Sequence, residues 1–247
     1  VFNKNPVRIF VMGENVWRDE KEWPIHGAKT VSYYLHSNGR ANTLNGDGYL
    51  SEDLPMDEPS DVYVYNPMDP VPTHGGSVCF DLGLLQPGAF DQRHIESRHD
   101  VLVYTTPPLN NYVEVTGPIT MGLYASSSAI DTDFTAKLVD VSPEGYATNL
   151  TDGILRARYR VSRSEPSMIK SGEVYEYTID MCATSNLFKK GHQIRLEISS
   201  SNFPRFDRNA NTGRLIGSDG SFLSALQTVY HTSKYPSYIS LPMIQRG

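Results

Sequence analysis

From about residue 28 onward the chain alternates apolar and polar residues with a period of two, in short runs broken by clusters of Gly, Pro, Asn and Asp. A period of two puts every second side chain on one face, and only an extended strand does that. Ile119, Met121, Leu123 and Ala125 form one such set; Phe134, Ala136 and Leu138 form a second; Ile194, Leu196 and Ile198 a third. In a fourth, Tyr175, Tyr177, Ile179 and Met181 share a face while Glu176, Thr178 and Asp180 point the other way. Many short strands separated by turn residues predict an antiparallel sandwich or barrel. One helix is expected, over residues 221–229, where Phe222, Leu223, Leu226 and Val229 fall at helical spacing.

The front of the chain reads differently. Val7-Arg8-Ile9-Phe10-Val11-Met12 is a near-continuous apolar run stopped by Gly13, and a charged aromatic segment, Trp17-Arg18-Asp19-Glu20, follows it. A continuous apolar strand suits a parallel sheet covered on both faces, which the rest of the sequence does not supply. The expectation is a strand severed from a larger sheet, with residues 1–27 as one unit and 28–247 as another. Residues 1 to about 25 should then pack poorly or pair irregularly unless a partner supplies a sheet edge.

Composition narrows the function classes. With 22 Lys and Arg against 28 Asp and Glu, the net charge of −6 argues against a nucleic-acid partner. No apolar run is long enough to span a bilayer, no signal peptide opens the chain, and no membrane partner is expected. Cys79 and Cys182 sit in apolar or strand-like surroundings with no metal-ligand spacing, so both read as small buried hydrophobes, and a reducing, cytoplasmic setting is favoured.

The search for chemistry returns little. An α/β-type serine hydrolase needs a Gly-x-Ser-x-Gly elbow, and the nearest approach, Gly75-Gly76-Ser77-Val78-Cys79, ends in Cys and runs on into loop residues, so Ser77 reads as a turn serine. In His94-Ile95-Glu96-Ser97-Arg98-His99 the spacing is wrong for a zinc helix, and a solvated loop of charged residues is expected. Asp131-Thr132-Asp133 lacks the further acids and Gly of a calcium loop and reads as an Asx turn. Arg156, Arg158 and Arg160 alternate along a strand, and cross-strand partners such as Glu176 or Asp180 are expected. The Pro- and Gly-rich stretch 66–93 stands out as a long loop of the kind that carries function. No metal or cofactor is called for.

Several segments, taken together and in order, resemble one family. They are Pro6-Val7-Arg8-Ile9-Phe10-Val11-Met12-Gly13 with Trp23-Pro24; Tyr65-Asn66-Pro67 through Pro70-Val71-Pro72-Thr73-His74-Gly75-Gly76; Asp91-Gln92-Arg93; Ile130-Asp131-Thr132-Asp133-Phe134-Thr135-Ala136-Lys137-Leu138; and Ser201-Asn202-Phe203-Pro204-Arg205-Phe206-Asp207-Arg208-Asn209. They are similar to the C-terminal part of the cocaine esterase/NonD (CocE/NonD) hydrolases, relatives of the Xaa-Pro dipeptidyl-peptidases and α-amino acid ester hydrolases. The resemblance implies an all-β, jelly-roll (galactose-binding-like) β-sandwich, preceded by one strand left over from an α/β-hydrolase domain. It further implies upstream α/β-hydrolase and cap domains as partners, with the Ser, Asp and His of the triad before Val1, so no catalytic residue is assigned here.

The resemblance also implies that the loop after the Gly-Gly pair reaches the active site. Val78, Cys79 and Phe80 are therefore the candidate pocket wall for a small-molecule ester or peptide substrate, whereas Asn202, Phe203 and Asp207 are assigned to loop structure or domain contacts. A carbohydrate-binding jelly-roll module, with some of the 15 tyrosines stacking on sugars, is the competing reading. The sequence leaves the oligomeric state open, a homo-oligomer included.

Overall fold

Alternation becomes burial in a computed structural model that describes residues 5–78, 85–215, 217 and 220–245. The main sheet is built from β3 (Lys29–His36), β4 (Tyr49–Ser51), β5 (Asp61–Tyr65), β6 (Leu102–Thr105), β7 (Val113–Ser127), β8 (Asp133–Val141), β9 (Ala147–Arg156), β10 (Tyr175–Phe188), β11 (Gln193–Ser199), β12 (Ala225–Tyr230) and β13 (Tyr238–Ile244). All of its pairings are antiparallel except the single β4–β6 contact.

The fifteen-residue strand β7 organises the fold. One edge pairs with β10 along nearly its whole length, while the other pairs first with β13 and then with β12. The remaining strands run β3-β4-β6-β11-β8-β9 and fold back, giving the two layers of a jelly-roll β-sandwich. The four alternating sets named from the sequence supply its interior: Met121, Leu123, Phe134, Leu138, Tyr177, Ile179, Leu196 and Ile198 are all fully buried. Phe134 of β8 meets Tyr177 of β10 across the layers, ring centroids 4.8 Å apart.

The layers approach closely where β9 meets β10. A Cβ on Gly153 would lie 2.2 Å from the Asp180 carbonyl oxygen, so only glycine fits, and Thr151 Oγ1 donates to the Met181 carbonyl at 2.5 Å. The register of β10 shifts here, between Asp180 and Ala183, and the bulge turns Cys182 outward with φ of 62°. Cys182 is an exposed free thiol, contrary to its reading as a buried hydrophobe. Cys79 lies outside the described residues.

Residues 225–230 also depart from expectation: the segment expected to be helical forms β12, between β5 and β7. Its burial alternates with period two, Ala225, Gln227 and Val229 inward and Leu226 outward. The inward polar residue, Gln227, donates to Thr132 Oγ1 at 2.7 Å and breaks the hydrophobic signal that would have marked a strand.

The N-terminal segment forms its own two-stranded sheet. β1 (Val7–Val11) and β2 (Val16–Glu20) pair in regular antiparallel register from Val7↔Glu20 to Val11↔Val16, so among the described residues the pairing is regular, while Phe10, Val16, Trp17 and Trp23 stay exposed, the poor packing that was the other alternative. The turn explains the register: Gly13 and Asn15 take positive φ, and Asn15 N–H returns to the Val11 carbonyl at 2.7 Å. Val11 and a bidentate Arg18–Glu114 contact (2.7 and 3.0 Å) fix one face to the body, whereas Phe10 and Trp17 stack edge-to-face on the other. Among the described residues no helix is long and apolar enough to cross a membrane.

Candidate substrate-facing loop

Between β5 and the four-residue helix α1 (Arg93–Glu96) the described residues form no regular element, and their backbone polar groups need partners from elsewhere. The segment after β11 supplies several. Phe203 N–H donates to the Val71 carbonyl (2.9 Å), Thr73 N–H to the Phe203 carbonyl (2.7 Å), and Val71 N–H to Ser201 Oγ (2.9 Å). Farther on, Gly76 and Gly88 exchange both backbone hydrogen bonds, at 2.7 and 3.0 Å. This bridge is a neck that brings the two sides of the loop together, with Ser77 and Val78 leaving it and residues 85–87 returning to it. Gly76 has φ of 104°, and a Cβ there would come within 2.7 Å of Arg205 Nη1.

The neck stands on a buried polar network. Arg205 forms an ion pair with Asp152 of β9 (Nη1 to Oδ1, 2.8 Å) and donates to Ser77 Oγ at 3.2 Å. Burial raises the Asp152 carboxyl pKa, and Arg205 works against the rise. Asn149 accepts from Phe90 N–H at 2.7 Å. Gln92, fully buried, donates to the carbonyls of His74 (2.8 Å) and Phe90 (3.0 Å) and accepts from Lys137 Nζ (2.8 Å). Lys137 also pairs with Glu197 at 2.9 Å, and Arg195 with Glu96 at 2.7 Å. Burial, followed by the neighbouring Glu197 charge, pushes the Glu96 carboxyl up to about 7. Glu96 is thus no solvated loop residue, contrary to the expectation for residues 94–99.

Three acids, Asp152, Glu197 and Glu96, face three cations, Arg205, Lys137 and Arg195. The charges cancel beneath the loop and clamp it to the outer face of β6, β11, β8 and β9. Ser77 is exposed at the neck and Val78 is half-buried just beyond it. Cys79 and Phe80, the other two candidate pocket residues, lie outside the described residues.

The remaining charged motifs resolve into structure. Asp133 sits opposite Arg156 in the β8–β9 register and takes a bidentate contact from it at 2.8 and 2.9 Å. Arg158 pairs with Asp131, and Asn209 Nδ2 bridges both carboxylates. The arginines therefore pair with Asp131 and Asp133 rather than with Glu176 or Asp180. Arg160 instead lies over the Tyr175 ring at 4.3 Å.

A serine, a histidine and an aspartate do meet, at a place the sequence did not flag. Ser37 Oγ donates to Asp61 Oδ2 (2.7 Å), and His231 Nε2 lies 2.9 Å from that same oxygen and 3.2 Å from Ser37 Oγ. His231 Nδ1 lies 3.3 Å from Glu58 Oε2, but a catalytic relay needs a reachable serine whose proton goes to the histidine, whereas Ser37 is buried and gives its proton to Asp61. All three side chains are buried. Burial raises the Asp61 pKa, but hydrogen bonds from His231, Ala41 N–H, Ser37 and Tyr104 outweigh it and hold the carboxyl below its ordinary value. The cluster ties β5 and β6 to the residues that directly follow β3 and β12. No sequence signal could have found it, since its members lie up to 194 residues apart.

Residues 1–240 match the model of the X-Pro dipeptidyl-peptidase C-terminal non-catalytic domain. The chain belongs to that family. It is 48% identical over 242 residues to the cocaine esterase of Rhodococcus sp. (strain MB1 Bresler), covering 97% of this chain and 42% of that protein. An α-amino acid ester hydrolase structure superposes with TM-score 0.86 at 32% identity, over 97% of this chain and 41% of that one. An aminopeptidase from a marine sediment Thaumarchaeota archaeon gives TM-score 0.85 at 29% identity, over 99% and 41%. The chain thus spans about two fifths of the length of these relatives.

Proposed function

We propose that this chain, as the non-catalytic domain of a serine acyl hydrolase acting on esters or Xaa-Pro amides, closes the active-site cleft and stabilises the catalytic domain. In this reading residues 1–27 are the tail of an upstream α/β-hydrolase domain and residues 28–247 the jelly-roll domain. The observation that carries it is the Gly76–Gly88 neck, clamped on a charge-balanced buried network and presenting Val78 beyond it. A loop meant only to connect β5 to α1 has no need of such anchoring, whereas a pocket wall must hold its apolar side chains in place. The β1–β2 hairpin supports the boundary, since its Phe10–Trp17 face is turned away from the sandwich. Four of the tyrosines a sugar platform would draw on, Tyr63, Tyr65, Tyr104 and Tyr177, are buried.

The test is Phe80→Ala in the full-length enzyme, with Val78→Ala beside it. The expected result is a change in kcat/KM of about tenfold that differs between ester substrates, with Tm unchanged. Unaltered kinetics across ester and Xaa-Pro amide substrates would overturn the assignment.

A further inference from the structure

Beneath the loop, a small cavity of about 10 Å³ is lined by Val71, Lys137, Asp152, Glu197, Ser201 and Asn202, among others. We propose that one water molecule is a fixed structural component of this domain, held there by Lys137, Glu197 and Asn202. The volume is room for about one water. The polar lining makes such a site wet, since enclosed spaces stay dry only where their walls are apolar.

Hydrogen-bond accounting identifies the ligand and its partners. Glu197 Oε1 and Asn202 Oδ1 are buried acceptors with no hydrogen-bond partner among the described residues. Their sister atoms are committed: Glu197 Oε2 accepts from Lys137, and Asn202 Nδ2 donates to Asp152 Oδ2 at 2.8 Å, which fixes the amide with its oxygen toward the unmet position. An ammonium carries three N–H donors. Two of those on Lys137 go to Gln92 Oε1 and Glu197 Oε2, leaving one. A third buried acceptor of the lining, Asp152 Oδ1, is met by the Arg205 ion pair at 2.8 Å, so the Lys137 donor and the Glu197 and Asn202 acceptors are left for the guest, and a single water serves them by accepting once and donating twice. Leaving a buried acceptor unmet costs about 1–3 kcal/mol.

Charge excludes the other small occupants. Lys137 and Arg205 balance Glu197 and Asp152, so the site is neutral before anything enters and favours a neutral guest. The lone Lys137 N–H further opposes a cation, which accepts no hydrogen bond. The water joins Asn202, in the segment that holds residues 71–73, to β8 and β11. It is part of the clamp whether or not the loop it supports lines a substrate pocket.

The test is a crystal structure of this chain at a resolution that shows ordered waters, with a second crystal soaked in thallium(I) as a heavy monovalent cation. The expected result is one oxygen peak within hydrogen-bond distance of Lys137 Nζ, Glu197 Oε1 and Asn202 Oδ1, with no anomalous signal there after the soak. A thallium peak would make the site a cation site and overturn the proposal. So would a dry cavity in which Glu197 or Asn202 has turned to a protein partner.

Discussion

The β1–β2 hairpin and the sandwich use the same ingredients, short antiparallel strands with aromatic cross-contacts, yet they hold them in opposite ways. In the sandwich, Phe134 meets Tyr177 with both rings buried between layers. In the hairpin, Phe10 meets Trp17 in a similar pair with 39% and 62% of their surface exposed. Two-stranded ribbons are marginal alone in water. The hairpin's register is set by its turn and by the Arg18–Glu114 contact, whereas the sandwich is held by its core. The difference separates a part held by its own core from a part whose aromatic pair stays largely in water.

Core truncation should have the largest effect. Phe134→Ala removes a fully buried ring from between the layers and should cost about 3–5 kcal/mol, read as a fall in the urea midpoint. Asp131→Ala strands the buried Arg158 guanidinium, leaves Asn209 with Asp133 alone, and should cost a similar amount, about 3–5 kcal/mol. A loss below about 1 kcal/mol for either would mean that the sandwich yields as readily as the hairpin.

The loop clamp should show itself in pH dependence. The Glu96 carboxyl is raised from 4.5 to about 7 in the folded chain, which therefore holds a proton that the unfolded chain has already released in that window. Its contribution is most favourable below about 4.5 and is lost as pH rises through about 7. Glu96→Gln should flatten the fall in stability across this range, whatever it does to the absolute value. An unchanged slope would remove Glu96 from the clamp.

Trp17→Ala should have the smallest effect in this chain, within about 0.5 kcal/mol, because the ring is mostly in water already. If the proposed upstream domain covers the hairpin, the same change in the full-length protein should cost about 1.5–3 kcal/mol, as expected for a large side chain that is buried. Equal effects in the two settings would count against a covered hairpin.

How far the sequence could be read follows from the range of the interactions. Ile119, Met121, Leu123 and Ala125 announced β7 because alternation is local and its core is apolar. Residues 225–230 misled because Gln227 occupies an inward position through a bond to Thr132, a partner 95 residues away. Cys182 misled because a bulge breaks the alternation of β10 where β9 presses on it. Spacing shows that the arginines at 156 and 158 need partners, but which partners they take depends on the β8–β9 register, which spacing alone does not reveal. The loop clamp was invisible for the same reason: Asp152, Lys137, Glu197 and Gln92 come from four separate stretches of chain. Family resemblance pointed to the loop, and only the folded structure shows what holds it.

The central claim, that this is the non-catalytic part of a serine acyl hydrolase, is tested most directly by active-serine labelling with a fluorophosphonate probe. The chain and its full-length parent would be labelled side by side and the modified residue mapped by mass spectrometry. The account predicts no labelling of residues 1–247 in either sample and one labelled serine upstream of Val1 in the parent. Stoichiometric labelling of a serine within these residues, Ser77 at the neck or Ser37 in its buried cluster, would contradict it.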